Sequence, residues 1–250
     1  MWSTSDETPR TYAYFQFGIQ RSGTTIIDRI IRDNWGYWKA NDCGDYKPEP
    51  YLPQPQDKSI WKHHIDIPPR LPENAPVILV YKNPYTWAES MACRNGMGNG
   101  GWNSSWGHEH LNLYPQPKPG WNNISVPKMG TCNIGQIMYV YQHWFNTWLE
   151  YHKQNPETSV LIKYEELLVD ESRQRIFNDI ADKFNWPRVD NIIMANHAGS
   201  SQPMTEERTQ YYLNGRPTHD MFFQHGNRYI QSINDILGKD FIASLGYEIL

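Results

Sequence analysis

Residues 11–35 constrain the fold of this chain more than any other stretch. TYAYFQFG, ending at Gly18, is an apolar run bounded by a polar start and a Gly/Ser/Thr turn, and it reads as a buried strand. IQRSGTT follows, and then TTIIDRIIRDNW, in which Ile26, Ile27, Ile30 and Ile31 recur at helical spacing. Strand, glycine-bearing turn and helix in that order open a βα unit.

The later elements continue that pattern. Residues 35–58 read as loop with one short strand, and SIWKHHI (59–65) as a further strand. PVILVYK (76–82) is a continuous β-branched run of the kind found in a central parallel strand. A helix is expected from Asn83–Pro84, with asparagine as cap and proline in the first turn. A long amphipathic helix is expected from Ile134, with Ile137, Met138, Tyr141, Phe145, Trp148 and Leu149 along its inner face. TSVLIKY (158–164) reads as strand, and EELLVDESRQRIFNDIADKFN as helix with a break near Asp170. One or two helices follow in 187–250, the last around NRYIQSINDIL. The sum is a single α/β domain over 1–250, a three-layer α/β/α fold with a mostly parallel sheet, resembling that of P-loop NTPases.

Composition removes several functions. With 23 Lys+Arg against 27 Asp+Glu the net charge is −4, which argues against coating nucleic acid or anionic lipid. Aromatic residues at 14%, without a long like-charge block, argue against disorder. MWSTSDETPR lacks the apolar stretch of a signal peptide, and no run approaches the roughly 18 apolar residues of a membrane span. A soluble, cytoplasmic protein is therefore expected. Cys43, Cys93 and Cys132 are too scattered for a disulfide framework and have no zinc spacing. His108, His110, His143 and His152 show no ligand spacing either.

The turn GIQRSGTT (18–25) sits where backbone N–H groups and a helix dipole can hold an anion. Gly18 and Gly23 match the glycines of a Walker A loop, but Thr24 stands where its lysine would be. PVILVYKN does not end in an acidic residue that would hold Mg²⁺, and LIKYEE reaches its glutamate one step past its end. The plainer alternative is a tight glycine turn with ordinary helix capping.

QRSGTT resembles the 5′-phosphosulfate loop of sulfotransferases that use 3′-phosphoadenosine 5′-phosphosulfate, with Gln20 in place of the family's proline. Three further stretches are similar to that family, in order. Lys62-His63-His64 looks like its K-x-H segment, VILVYKNPYTWAES like its 3′-phosphate segment, and VLIKYEELLVDESRQRIFNDIADKF like its R-Y-E-D-L strand and helix. The resemblance covers roughly 12–92 and 135–185. It implies that Arg21 neutralises the leaving phosphate and that Ser22, Gly23, Thr24 and Thr25 cradle it. Lys82 and Ser90 would hold the 3′-phosphate, and Tyr164 would lie near the adenine. Where Lys82 stands the family mostly has arginine, whose bidentate fork a lysine lacks. The family's C-terminal R-K-G-like loop has no clear copy; Arg216 and Arg228 are the candidates.

Sulfuryl transfer needs a base for the acceptor hydroxyl and fixed cations at the leaving oxygen, and no metal. On a strand Lys62 and His64 would share a face, with His63 on the other. His64 is thus the expected base, with Lys62 and Arg21 on the leaving oxygen; a slip of one residue would exchange His63 for it. A histidine pair on a strand also has a purely structural reading. Asp66, Glu109 and His110 are the runner-up bases. The 40 residues 94–133 hold 7 of the 17 glycines, 7 asparagines and Trp102, Trp106 and Trp121. They read as a loop over the acceptor side, and aromatic faces beside amides suit a carbohydrate; the alternative is an insertion whose tryptophans pack on the domain itself. Two other functions compete: a P-loop nucleotide kinase or NTPase, and a non-catalytic glycan-binding protein.

Overall fold

Four parallel strands form the centre of the molecule in the order β2–β1–β3–β6: β1 is Thr11–Phe17, β2 Tyr37–Lys39, β3 Val77–Tyr81 and β6 Ser159–Lys163. A two-residue antiparallel pair, β4 (Lys128–Met129) and β5 (Cys132–Asn133), lies outside this sheet. The helices are α1 (Thr24–Trp35), α2 (Pro84–Ala92), α3 (Ile134–Gln154), α4 (Asp170–Lys183), α5 (Glu206–Asn214), α6 (Gln224–Leu237) and α7 (Lys239–Ser244), with a 3₁₀ turn over Tyr164–Leu168. The structure, a computed structural model, describes residues 11–19, 21–41, 63, 65–69, 71–92, 128–129, 132–193, 204–218 and 224–250.

Period-two alternation sorts the strand side chains into two apolar layers. Phe15, Phe17, Val77, Leu79 and Leu161 enter one layer with residues of α2, α3, α6 and α7, including Trp87, Trp144, Trp148 and Ile233. Tyr14, Ile78, Val80 and Ile162 enter the other with Ile26, Ile27, Ile30 and Ile31 of α1, Phe177 and Ile180 of α4, and Tyr212 of α5. This is the expected three-layer α/β/α arrangement. Ile27, Ile30 and Ile31 are wholly buried, and each contributes about 2 kcal/mol by leaving water. Both faces of β3 are covered, which is why its sequence runs apolar without alternation.

Helix starts follow local chemistry. The Asn83 side chain accepts from the backbone N–H of Tyr85 (2.9 Å) and Thr86 (3.3 Å), capping α2 where expected. The break near Asp170 is found too: the 3₁₀ turn ends, Val169 is extended, and α4 begins.

Two expectations need correction. At its described residues, 59–65 is not strand: His63 lies in a turn, and Ile65 and Asp66 in a bend. Ile65 is buried in the layer of α2 and α3, and the described residues of the segment pair with no strand of the sheet. Among its described residues the region 187–250 has three helices, and the last is α7, set off from α6 by Gly238 at φ 82°. Among the described residues no helix is long and apolar enough to cross a membrane.

The topology selects a place for chemistry. From β1 the chain crosses through α1 on one face to reach β2, whereas from β3 it crosses through α2 and α3 on the other face to reach β6. The loops leaving the carboxyl ends of β1 and β3 therefore diverge, opening the crevice in which parallel α/β sheets bind ligands.

Candidate functional site

The loop after β1 has the geometry of an anion nest. Arg21 (φ 68°) and Gly23 (φ 105°) are left-handed, and Ser22 between them is not. That alternation turns successive N–H groups toward one point. Ser22 N–H donates to the Ile19 carbonyl at 3.1 Å and closes the turn. Gly23 caps α1 with no side chain bonded to the helix start, and the first turn has no acidic residue. The site favours negative charge for those reasons. Ser22 is fully buried and its Oγ has no hydrogen-bond partner.

Glycine is required at both ends of this turn. A Cβ at Gly18 would lie 2.5 Å from Ser22 Oγ and 2.7 Å from Val80 Cγ1. One at Gly23 would lie 2.3 Å from Cδ2 of Tyr164. Beneath the loop, Gln16 donates from Nε2 to the Thr24 carbonyl at 2.8 Å. Asn41 takes over where β2 has ended: its side chain accepts from Gln16 N–H (2.9 Å) and donates to Gln16 C=O (2.8 Å). The loop thus rests on a floor that a side chain completes.

Lys82 follows β3 and is 2% exposed. Its Nζ donates to Ser90 Oγ at 2.9 Å and stands 3.9 Å from the Tyr212 ring centre and 5.3 Å from that of Tyr164. Ser90 donates in turn to the Thr86 carbonyl at 2.7 Å, and Tyr141 OH donates to the Lys82 carbonyl at 2.5 Å. Among the described residues no carboxylate pairs with Lys82. Burial, the largest cause, pushes its ammonium down from 10.5 to about 8; Tyr212 and Glu165 oppose the shift and Arg21 adds to it.

The third strand end contributes Tyr164 and Glu165. Tyr164 is buried against Gly23, edge-on to Tyr212 at 5.3 Å, and burial pushes its phenol well up. Both oxygens of Glu165 are occupied: Oε1 accepts from Asn83 N–H at 2.9 Å and Oε2 from Tyr247 OH at 2.8 Å. Burial pushes the Glu165 carboxyl up against those bonds.

Helix α5 covers this group. Burial pushes the Tyr212 phenol up, but the charges of Lys82 and Arg208, together with hydrogen bonding to Arg208 and Ser90, outweigh it and leave the phenol below its ordinary value. Nη1 of Arg208 is buried with no hydrogen-bond partner. The helix is held down through buried Glu89 of α2, which accepts from Tyr211 OH and from Thr218 N–H (2.9 Å). Arg208, Tyr211 and Tyr212 were not singled out from the sequence; their spacing, three and four residues apart, was the available signal for a shared helix face.

The structure therefore brings together Arg21, Ser22, Gly23, Thr24, Lys82, Ser90 and Tyr164, and adds Arg208 and Tyr212. Thr25 lies in the first turn of α1. Arg216 is elsewhere, exposed and paired with Glu248 at 3.1 Å, and Arg228 is exposed on α6. Asp66 is exposed and bonded to His143 Nε2 at 2.8 Å, and His152 bonds Ser159 Oγ at 2.8 Å. Lys62, His64, Glu109 and His110 lie outside the described residues, as do Gln20 and 94–127. His63 is described, with Nδ1 2.5 Å from the Gly18 carbonyl. Among the described residues no group of three His, Cys, Asp or Glu is placed to hold a metal ion. A cleft of about 690 Å³ opens along α4 between Asp170, Arg175, Arg188 and Asp190. It is a broad surface lined by both signs of charge, and neither the loop nor Lys82 belongs to it.

What this geometry can do is gather anionic groups at two points, the nest and the Lys82–Ser90–Arg208 cluster, with an aromatic surface between them. No protein-family model, curated protein or solved structure matches the chain.

Proposed function

We propose that the chain is a sulfotransferase that moves a sulfuryl group from 3′-phosphoadenosine 5′-phosphosulfate to a hydroxyl acceptor. The observation that carries this reading is the pair of anion positions on adjacent strand ends. The nest of Arg21, Ser22 and Gly23 suits a 5′-phosphate. Lys82, Ser90 and the unpartnered Nη1 of Arg208 suit a second phosphate on the same nucleoside. Buried cations without a carboxylate partner are costly, and a dianion is the group that would offset that cost. An ATP site would instead have a lysine in the loop where Thr24 stands and carboxylate oxygens open to Mg²⁺, whereas those of Glu165 and Glu89 are bonded.

The chemistry asked of the residues is modest. The S–O bond to the acceptor forms as the S–O bond to the 5′-phosphate breaks, releasing a sulfate ester and adenosine 3′,5′-bisphosphate. Loop N–H groups, Arg21 and Lys62 stabilise charge growing on the leaving oxygen. An imidazole, His64 in this reading, takes the acceptor proton. Lys82, Ser90 and Arg208 position the nucleotide and touch no reacting atom. Trp102, Trp106 and Trp121, among asparagines and glycines, favour a carbohydrate as acceptor.

Calorimetric titration tests the reading. Adenosine 3′,5′-bisphosphate is expected to bind one-to-one in EDTA, with ATP binding weakly whether or not Mg²⁺ is present. Binding of ATP–Mg²⁺ alone would make the protein a kinase or NTPase. Bisphosphate binding without transfer of label from the sulfated donor to any member of a glycan panel would favour a non-catalytic binder.

A further inference from the structure

Sulfuryl transfer as proposed makes no use of the bond between His63 and Gly18. Nδ1 of His63 is 2.5 Å from the Gly18 carbonyl oxygen. A carbonyl oxygen only accepts, so the proton is on Nδ1 and the imidazole donates. Gly18 is tightly enclosed: its Cα leaves no room for a methyl group against Ser22, Val80 and Thr24. The bond thus ties a turn residue to a crowded point of the anion loop. Two residues on, Ile65 is 4% exposed in the apolar layer that also holds Ile19. The segment is anchored twice, once by a polar bond and once by burial.

We propose that His63 is a positioning residue: its Nδ1–H bond to the Gly18 carbonyl holds the loop after β1 in its nest conformation. The role of this bond in the loop does not rest on the sulfuryl-transfer reading; the turnover readout below does. The donor also lowers the negative potential of a carbonyl belonging to a loop that collects anions.

Two variants and three measurements test this. His63→Asn retains an amide donor near the Nδ1 position, and His63→Leu removes it. In the nucleotide-free protein, amide exchange of residues 18–25 is expected to be about tenfold faster in His63→Leu and close to wild type in His63→Asn. Turnover is read as slow hydrolysis of the sulfated donor, with water as acceptor. It is expected to fall about tenfold or more in His63→Leu and to recover largely in His63→Asn, with the pH profile of the wild type. Nitrogen NMR of the wild-type imidazole is expected to show the Nδ1–H tautomer, a readout that needs no variant to fold. An Nε2–H tautomer, or unchanged exchange in His63→Leu, would overturn the proposal. So would a His63→Asn enzyme as slow as His63→Leu and missing the base limb of its pH profile, since His63 would then be taking the proton itself. Failure of the wild type to bind adenosine 3′,5′-bisphosphate would strike the sulfotransferase reading alone, leaving exchange and tautomer to decide the role of His63.

Discussion

Replacing Lys82 by methionine should make the protein more stable and weaken its binding of adenosine 3′,5′-bisphosphate. The ammonium is 2% exposed, and its principal partners are a hydroxyl and an aromatic face. The drop from 10.5 to about 8 corresponds to about 3 kcal/mol of folding free energy. The sign follows from proton counting. Between pH 8 and 10.5 the unfolded chain holds a proton that the native one has lost, so stability rises with pH across that window and the full cost is present below it. Methionine keeps the length of the side chain without the charge, and Ser90 keeps its bond to the Thr86 carbonyl. Urea denaturation at pH 7 should therefore show Lys82→Met more stable than wild type by about 2 to 3 kcal/mol. At pH 10 that advantage should shrink by about 2 kcal/mol, because the native lysine is then neutral. Affinity for adenosine 3′,5′-bisphosphate should fall more than about tenfold in the same variant. A Lys82→Met protein that is less stable at pH 7, or whose advantage does not change between the two pH values, would refute the argument.

Wild-type affinity for adenosine 3′,5′-bisphosphate, followed by calorimetry, should decline above pH 8 as Lys82 loses its proton, and Lys82→Arg should remove the decline. Arg208→Ala should weaken that affinity about tenfold or more while Arg216→Ala leaves it unchanged, since of the two it is Arg208 that has a buried, unpartnered nitrogen, whereas Arg216 pairs with Glu248; equal effects in the same titration would discount Arg208. Gly23→Ala should cost about 2 kcal/mol or more in urea denaturation, because a Cβ at φ 105° meets the Tyr164 ring at 2.3 Å. Asn41→Ala leaves the buried N–H and C=O of Gln16 without their partners and should cost about 2 to 4 kcal/mol in the same assay.

Local regularities were written plainly in the chain. The apolar run of β3, the Asn83–Pro84 start of α2, the break before Asp170 and the glycines of the turn after β1 each depend on neighbours within a few residues. Periodicity and capping report such features directly. The convergence of the loop, Lys82, Ser90 and Tyr164 was expected only through family resemblance, and their meeting at the ends of three parallel strands is a property of the strand order.

The tertiary structure alone decided the rest. Tyr211 meets Glu89 across 122 residues of sequence, and with that contact α5 comes down over Lys82 and carries Arg208 into the site. Nothing local marks Arg208 as more important than Arg216 or Arg228, because its value lies in which surface its helix covers. Asn41 completes a floor where a strand ends, and His63 reaches Gly18 across 45 residues. These are side-chain bonds formed only once distant segments are packed together, and a one-dimensional pattern has no term for them. Local sequence set most of the elements and the glycine turn after β1; packing chose the cations that face it.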